Sequence, residues 1–276
     1  MTVGLALLAA LTYGAADFLG GIASRRSPAS VVVVFSQLSG AAVFLVSIAF
    51  VPSRFHQADL AWGALAGVGG AVGIAALYAA LAVGRMGVIS PLTGVIGASV
   101  PVAVGLALGE RPSLFELSGI ALAFVAVVLV SADPQTLRLS FEEPGLLLAV
   151  VSGLGMGLSL VALSRSTPDS GLAVLAPSRA VSVVLLLLWV RGRHEPLRVP
   201  RGALAVILGG GALDMLANVL YVVATRSGLL AVVAVVTSLY PASTVFLARI
   251  FLRERLAALQ WAGVACAVAG VVLIAL

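Results

Sequence analysis

Residues 108–119 read Leu-Gly-Glu-Arg-Pro-Ser-Leu-Phe-Glu-Leu-Ser-Gly, and residues 252–263 read Leu-Arg-Glu-Arg-Leu-Ala-Ala-Leu-Gln-Trp-Ala-Gly. In both, a leucine closes an apolar run, a Glu-Arg pair follows two residues later, and Gly119 or Gly263 stands in the next apolar run. The same offset lays Ala98-Ser99 on Ala242-Ser243, Thr93 on Thr237 and Gly84 on Gly228. A slightly smaller offset lays Gly4-Leu5 on Gly145-Leu146 and Gly14 on Gly155. Self-similarity at a fixed offset means that one unit occurs twice. The halves are residues 1–133 and 144–276, with the polar connector 134–143, which carries Pro134, between them.

Outward from these stretches the chain consists of long apolar runs broken by short segments rich in Arg, Asp, Glu, Pro and Ser. The 276 residues are 61% hydrophobic and 10% charged, with a mean hydropathy of +1.18. An ordinary soluble domain is about 25% charged, so water is not the solvent for most of this surface. A helix crosses the hydrocarbon core with roughly 20 apolar residues, and about ten such spans with short loops use up the chain. The runs place them at 3–23, 29–51, 59–83, 86–108, 113–132, 144–164, 171–191, 202–225, 228–251 and 256–276. Val- and Gly-rich runs suggest strands in water, but in lipid only helices and closed barrels satisfy the backbone. The runs also lack the two-residue alternation of a barrel. The predicted fold is therefore an all-α integral membrane protein. Five spans per half is an odd number, so the second half enters the membrane from the opposite side, and the two repeats are inverted. Inverted repeats recur in secondary transporters, with a site at the repeat interface.

At this point the sequence resembles the ten-helix EamA-type members of the drug/metabolite transporter superfamily. The resemblance rests on the doubled five-span unit and on Gly109-Glu110-Arg111-Pro112 and Arg253-Glu254-Arg255-Leu256 at the end of each fourth span. It implies export or exchange of small metabolites or drugs and does not imply which one. It marks Glu110 and Glu254 as signature positions; their place at helix ends, beside arginines, reads as local charge pairing.

A charge at the bilayer centre is costly even on the mildest insertion scale, so intramembrane charges are functional candidates. Asp214 lies near the middle of span 8, Arg179 near the middle of span 7, and Asp17 two thirds along span 1. Asp214, Asn218, Tyr221 and Thr225 follow a four-three-four spacing that puts them on one helix face. That face either bonds to a neighbouring helix, as polar residues in membranes do, or lines a cavity and binds substrate. Tyr13 and Asp17 form a shorter stripe of the same kind, with Gly14, Gly20 and Gly21 permitting close helix approach; Asp17 could instead pair with Arg25 or Arg26. Arg179 is the natural counter-ion for a buried aspartate or a contact for an anionic substrate. The expected substrate-binding set is Tyr13, Asp17, Arg179, Asp214, Asn218 and Tyr221. Pro91 and Pro101 in span 4 and Pro241 in span 9 interrupt the helical ladder at matching places, which points to a hinge or cavity there.

Other functions fare less well. Asp17 and Asp214 suggest an intramembrane aspartyl hydrolase, but such enzymes place Gly directly before the second aspartate, where this chain has Leu213. A serine protease needs a buried histidine base, whereas His56 and His194 lie in polar connectors. A non-transporting structural or sensory protein has no evident need for inverted duplication. Without lysine there is no Walker motif, so ATP is not the direct driving force. Asp17 or Asp214 is chemically able to couple a proton, and exchange or another gradient remains equally open.

The net charge of +5 does not signal nucleic acid, because the arginines are scattered between apolar runs and share no polar face. No cofactor or metal is expected: Cys266 is alone, and the histidines lack ligand spacing. Basic residues that are all arginine, with abundant Ala, Gly and Val, suggest a GC-rich bacterial genome and a multi-pass protein of its plasma membrane. Connectors after odd-numbered spans hold ten arginines against four after even-numbered ones. The positive-inside rule then puts both termini outside, whereas the resemblance implies cytoplasmic termini.

Overall fold

Backbone groups in hydrocarbon must find their partners within the same segment, and the apolar runs fold accordingly as helices. The computed structural model describes residues 2–84, 86–131, 145–192, 197–199, 201–252 and 258–275. Among these, eleven α-helices run in the order α1 (Thr2–Ser24), α2 (Ala29–Ser47), α3 (Gln57–Val83), α4 (Met86–Ala107), α5 (Leu114–Ser131), α6 (Leu146–Ser164), α7 (Leu175–Gly192), α8 (Arg201–Thr225), α9 (Leu230–Thr237), α10 (Tyr240–Leu252) and α11 (Ala258–Ala275). Six of them, α1, α2, α3, α6, α7 and α8, are long and apolar enough to cross a membrane. The other four expected spans correspond to α4, α5, the α9–α10 pair and α11, in which the apolar stretches among the described residues are shorter. Glu254 and His194 lie outside the described residues, as does the connector 134–143.

Two span edges move and one span splits. The second helix ends at Ser47 and gives way to turns through Phe50. The seventh starts at Leu175 because Pro168–Ser170 forms a single 3-10 turn and Gly171 turns the chain at φ +54°. The ninth span is split. Pro241 has no N–H to give the Thr237 carbonyl, and its ring crowds that carbonyl; the Leu239 N–H bonds to Val236 and the Ala242 N–H to Leu239, both one residue tighter than an α-helix. Span 4 behaves differently, since α4 runs unbroken from Met86 to Ala107 through Pro91 and Pro101. The expectation of matching breaks therefore holds in the second half alone.

Helix neighbours follow a pattern of exchange between the halves. α3 packs on α6 as α8 packs on α1; α2 packs on α8 as α7 packs on α3; α4 packs on α6 as α10 packs on α1; and α5 packs on α11. Glycines make these approaches close. A Cβ on Gly69 would stand 2.6 Å from the Gly155 carbonyl oxygen, and one on Gly155 would stand 2.8 Å from that of Gly69. In membranes, where lipid is as apolar as leucine, such small-residue contacts supply the packing that holds helices together. Large apolar side chains such as Leu45, Leu147, Leu188 and Val268 are more than half exposed, a surface made for lipid tails.

One face of the bundle gathers the N-terminus and the connectors after α2, α4, α6 and α8. The hydroxyl of Thr2 lies 2.9 Å from that of Ser227; the Leu172 N–H donates to Ser53 Oγ at 2.9 Å; and the Thr167 N–H donates to the buried Asp59 at 2.8 Å. Arg226 locks this face by donating to the Ser166 carbonyl and hydroxyl, the Ser170 hydroxyl and the Gly171 carbonyl. Burial pushes its guanidinium below the ordinary arginine pKa, and Asp59 and Asp169 pull it back up. His56 belongs to the same connector layer, with Nε2 2.9 Å from Asp169.

Candidate functional site

A cavity of about 90 Å³ is walled by α1, α2 and α3 of the first half and by α6, α7, α8 and the α9–α10 break of the second. One water needs roughly 10–15 Å³ on this scale, so the space holds several waters or a small ligand. Five of the six expected residues, Tyr13, Asp17, Arg179, Asp214 and Asn218, share this cavity. The sixth, Tyr221, is not among its walls. It is fully buried, and its hydroxyl donates to the Leu160 carbonyl at 3.0 Å. Tyr221 shares the Asp214 face but sits seven residues on, about 10 Å along the axis, behind the lining residue Leu160 that it bonds. Thr225, farther still, turns its hydroxyl back on the Val222 carbonyl.

Arg179 organises the polar wall. Its Nη2 donates to Asp214 Oδ2 at 3.2 Å, with the arginine side chain 9% and the aspartate side chain 19% exposed. Its Nη1 donates to Gln37 Oε1. Ser182 donates to the same Gln37 oxygen at 2.9 Å. Arg179 and Asp214 come from α7 and α8 of the second half, and the bond from Arg179 to Gln37 of α2 ties this pair to the first half. A buried charge left without its partner is strongly destabilising, which is the physical reason these side chains converge. Asn218 turns its amide N–H onto the Asp214 carbonyl of its own helix at 2.8 Å.

Aromatic rings complete the lining. Tyr13 of α1 meets Tyr240 of α10 edge to face, with centroids 6.3 Å apart and planes at 61°. The Ser238–Leu239 break exposes Thr237, Ser238 and Tyr240 to the cavity. Gln37, Ser178 and Ser182 were missed by the charge-and-stripe reading of the sequence. The signal for Gln37 was present: a lone amide inside the apolar run 29–51 needs a partner as much as a charge does.

Glu110 plays no part in the cavity. Gly109, at φ +89°, turns the chain after α4 so that the Glu110 carboxylate accepts the backbone N–H groups of Leu230 at 2.8 Å and Ala231 at 2.9 Å. These belong to the first turn of α9, whose own cap position, Leu229, has no capping side chain. The local pairing with Arg111 expected from sequence is thus replaced by a long-range cap. Among the described residues no three His, Cys, Asp or Glu side chains converge on a metal-sized site.

The model of the EamA-like transporter family matches residues 1–132 and again residues 143–276. The chain belongs to the EamA-like transporter family. This EamA-like protein is accordingly a multi-pass membrane protein whose partners are the lipid bilayer and a small-molecule substrate; its family is one of transporters and not of enzymes. A solved crystal structure described only as a protein has the same fold, with a TM-score of 0.73 over 99% of this chain and 95% of that chain at 16% identity. No curated protein matches the sequence.

Proposed function

We propose that the chain is a secondary transporter of the bacterial plasma membrane that exports or exchanges a small metabolite or drug by alternating access, with the cavity between the halves as its substrate site. The observation that carries this is the polar cavity itself: Asp17, Arg179 and Asp214 are placed where lipid cannot hydrate them, around a space large enough for a ligand. Tyr13, Asp17, Arg179, Asp214 and Asn218 are its substrate contacts, and Tyr221 supports the wall through Leu160. The halves 1–133 and 144–276 act as inverted repeats related by an axis in the membrane plane. Supporting this are the double family match and the exchange of helix neighbours between halves, which leaves α5 and α11 paired with each other. Two such halves have nearly equivalent packings, open to opposite faces.

The hydrolase reading needs Asp17 and Asp214 to act together on one proton and one water. Asp214 gives Oδ2 to Arg179 instead, which favours transport. The test is counterflow into proteoliposomes loaded with a metabolite mixture, read by mass spectrometry. Solutes should cross chemically unaltered, at an initial rate reduced at least tenfold in Asp214→Asn at matched incorporation. A wild-type protein that moves no solute, or that cleaves one, overturns the proposal.

A further inference from the structure

We propose that the cavity selects a small organic cation, a protonated amine on a flat apolar body, with the Asp17 carboxylate as its counter-ion. The inference rests on the transporter reading and names the substrate class of that site. It starts from the charges in the cavity wall, which are Asp17, Arg179 and Asp214. Arg179 Nη2 pairs with Asp214, and Arg179 Nη1 donates to Gln37. Asp17 is left over. It is 6% exposed, lines the cavity, and takes part in no ion pair among the described residues.

A carboxylate in a low-dielectric site without a partner is unfavourable, and a bound cation supplies the missing charge. An anion meets the opposite situation, since Asp17 repels it and Arg179 is already engaged. Two further observations shape the ligand. The Thr237 hydroxyl, buried at the α9–α10 break and facing the same cavity, has no hydrogen-bond partner among the described residues, so it is available to an ammonium N–H. Tyr13 and Tyr240 offer ring surface next to Asp17, and aromatic faces attract cations and flat apolar bodies alike. A volume of about 90 Å³ restricts the ligand to a small amine.

The experiment titrates the purified full-length protein in detergent at pH 7 with three compounds sharing one body: phenethylammonium, phenethyl alcohol and phenylacetate. Isothermal titration calorimetry reads the affinities. Phenethylammonium should bind at least tenfold more tightly than the alcohol, and phenylacetate not at all. Asp17→Asn, which keeps the shape, should erase the advantage of the ammonium, and Asp17→Glu should keep part of it. Equal binding of ammonium and alcohol, tighter binding of phenylacetate, no binding of any of the three, or an ammonium advantage that survives Asp17→Asn each overturns the assignment. Equal binding is also the result if Asp17 carries a proton in place of a substrate cation. The three-ligand comparison on wild-type protein decides the matter even if a variant fails to fold. Counterflow of other solutes would then leave the transporter reading standing, whereas the absence of all counterflow removes that reading as well.

Discussion

Removing the Glu110 carboxylate should loosen α9, and the size of the effect follows from two hydrogen bonds. Glu110 holds the Leu230 and Ala231 N–H groups at 2.8 and 2.9 Å, and α9 has no other side-chain cap. Truncating an N-cap costs about 0.5–2 kcal/mol, and the charged acceptor with two donors puts Glu110→Ala in the upper half of that range, at about 1–2 kcal/mol. For a chain of this size each kcal/mol moves the melting temperature by roughly 2–4 °C, so a loss of about 2–8 °C is expected in detergent-solubilised protein followed by tryptophan fluorescence. Gly105→Ala gives an internal control, because a Cβ there would come within 2.5 Å of Glu110 Oε2 and push the carboxylate off its donors. Alone, it should destabilise by a comparable amount. Combined with Glu110→Ala it should be neutral or stabilising, since alanine outranks glycine in a helix by about 1 kcal/mol and no carboxylate remains to displace. A melting temperature unchanged within 1 °C in Glu110→Ala, or two additive losses in the double variant, would refute the cap.

Three further outcomes follow from the packing. Arg179→Met should destabilise by about 3–5 kcal/mol by stranding Asp214, and adding Asp214→Leu should restore most of the loss; the melting temperatures of the single and double variants decide it, and no recovery would mean that the pair is not the organising contact. Gly211→Ala should abolish stable, monodisperse protein in gel filtration, because its Cβ would collide with the Ser36 carbonyl oxygen of α2; Gly202→Ala, which meets nothing within 4 Å, should elute as wild type. Arg226→Lys keeps the charge but cannot reproduce four bonds from one planar fork; a drop in stability of about 1–3 kcal/mol, read by thermal unfolding, is expected, and an unchanged transition would show that the connectors hold without it.

Composition and the doubled Leu-x-Glu-Arg stretch by themselves determined that this chain is helical, membrane-embedded and built from two units, because hydrocarbon allows an apolar run few other structures and a repeat is visible in residue order. The charges in spans 1, 7 and 8 were legible as candidates for a related reason: each is costly in lipid wherever the helix points. Their partners were not. Which side chain answers Arg179 depends on how α2, α7 and α8 cross, and Gln37, which lies 142 residues away in sequence, is reached only through that crossing. The spacing puts Tyr221 with Asp214 on one helix face, yet a shared face does not set depth along the axis, and Tyr221 bonds to Leu160 of α6 without lining the cavity itself. Likewise the proline positions were plain in all three places, but neighbours decide whether a lost hydrogen bond breaks a helix: α4 runs through Pro91 and Pro101, while Pro241 opens the gap that exposes Thr237, Ser238 and Tyr240. Glu110 shows the same division, since its helix-end position was written in the sequence and its reach to the first turn of α9 exists only where the tertiary fold brings the two connectors together.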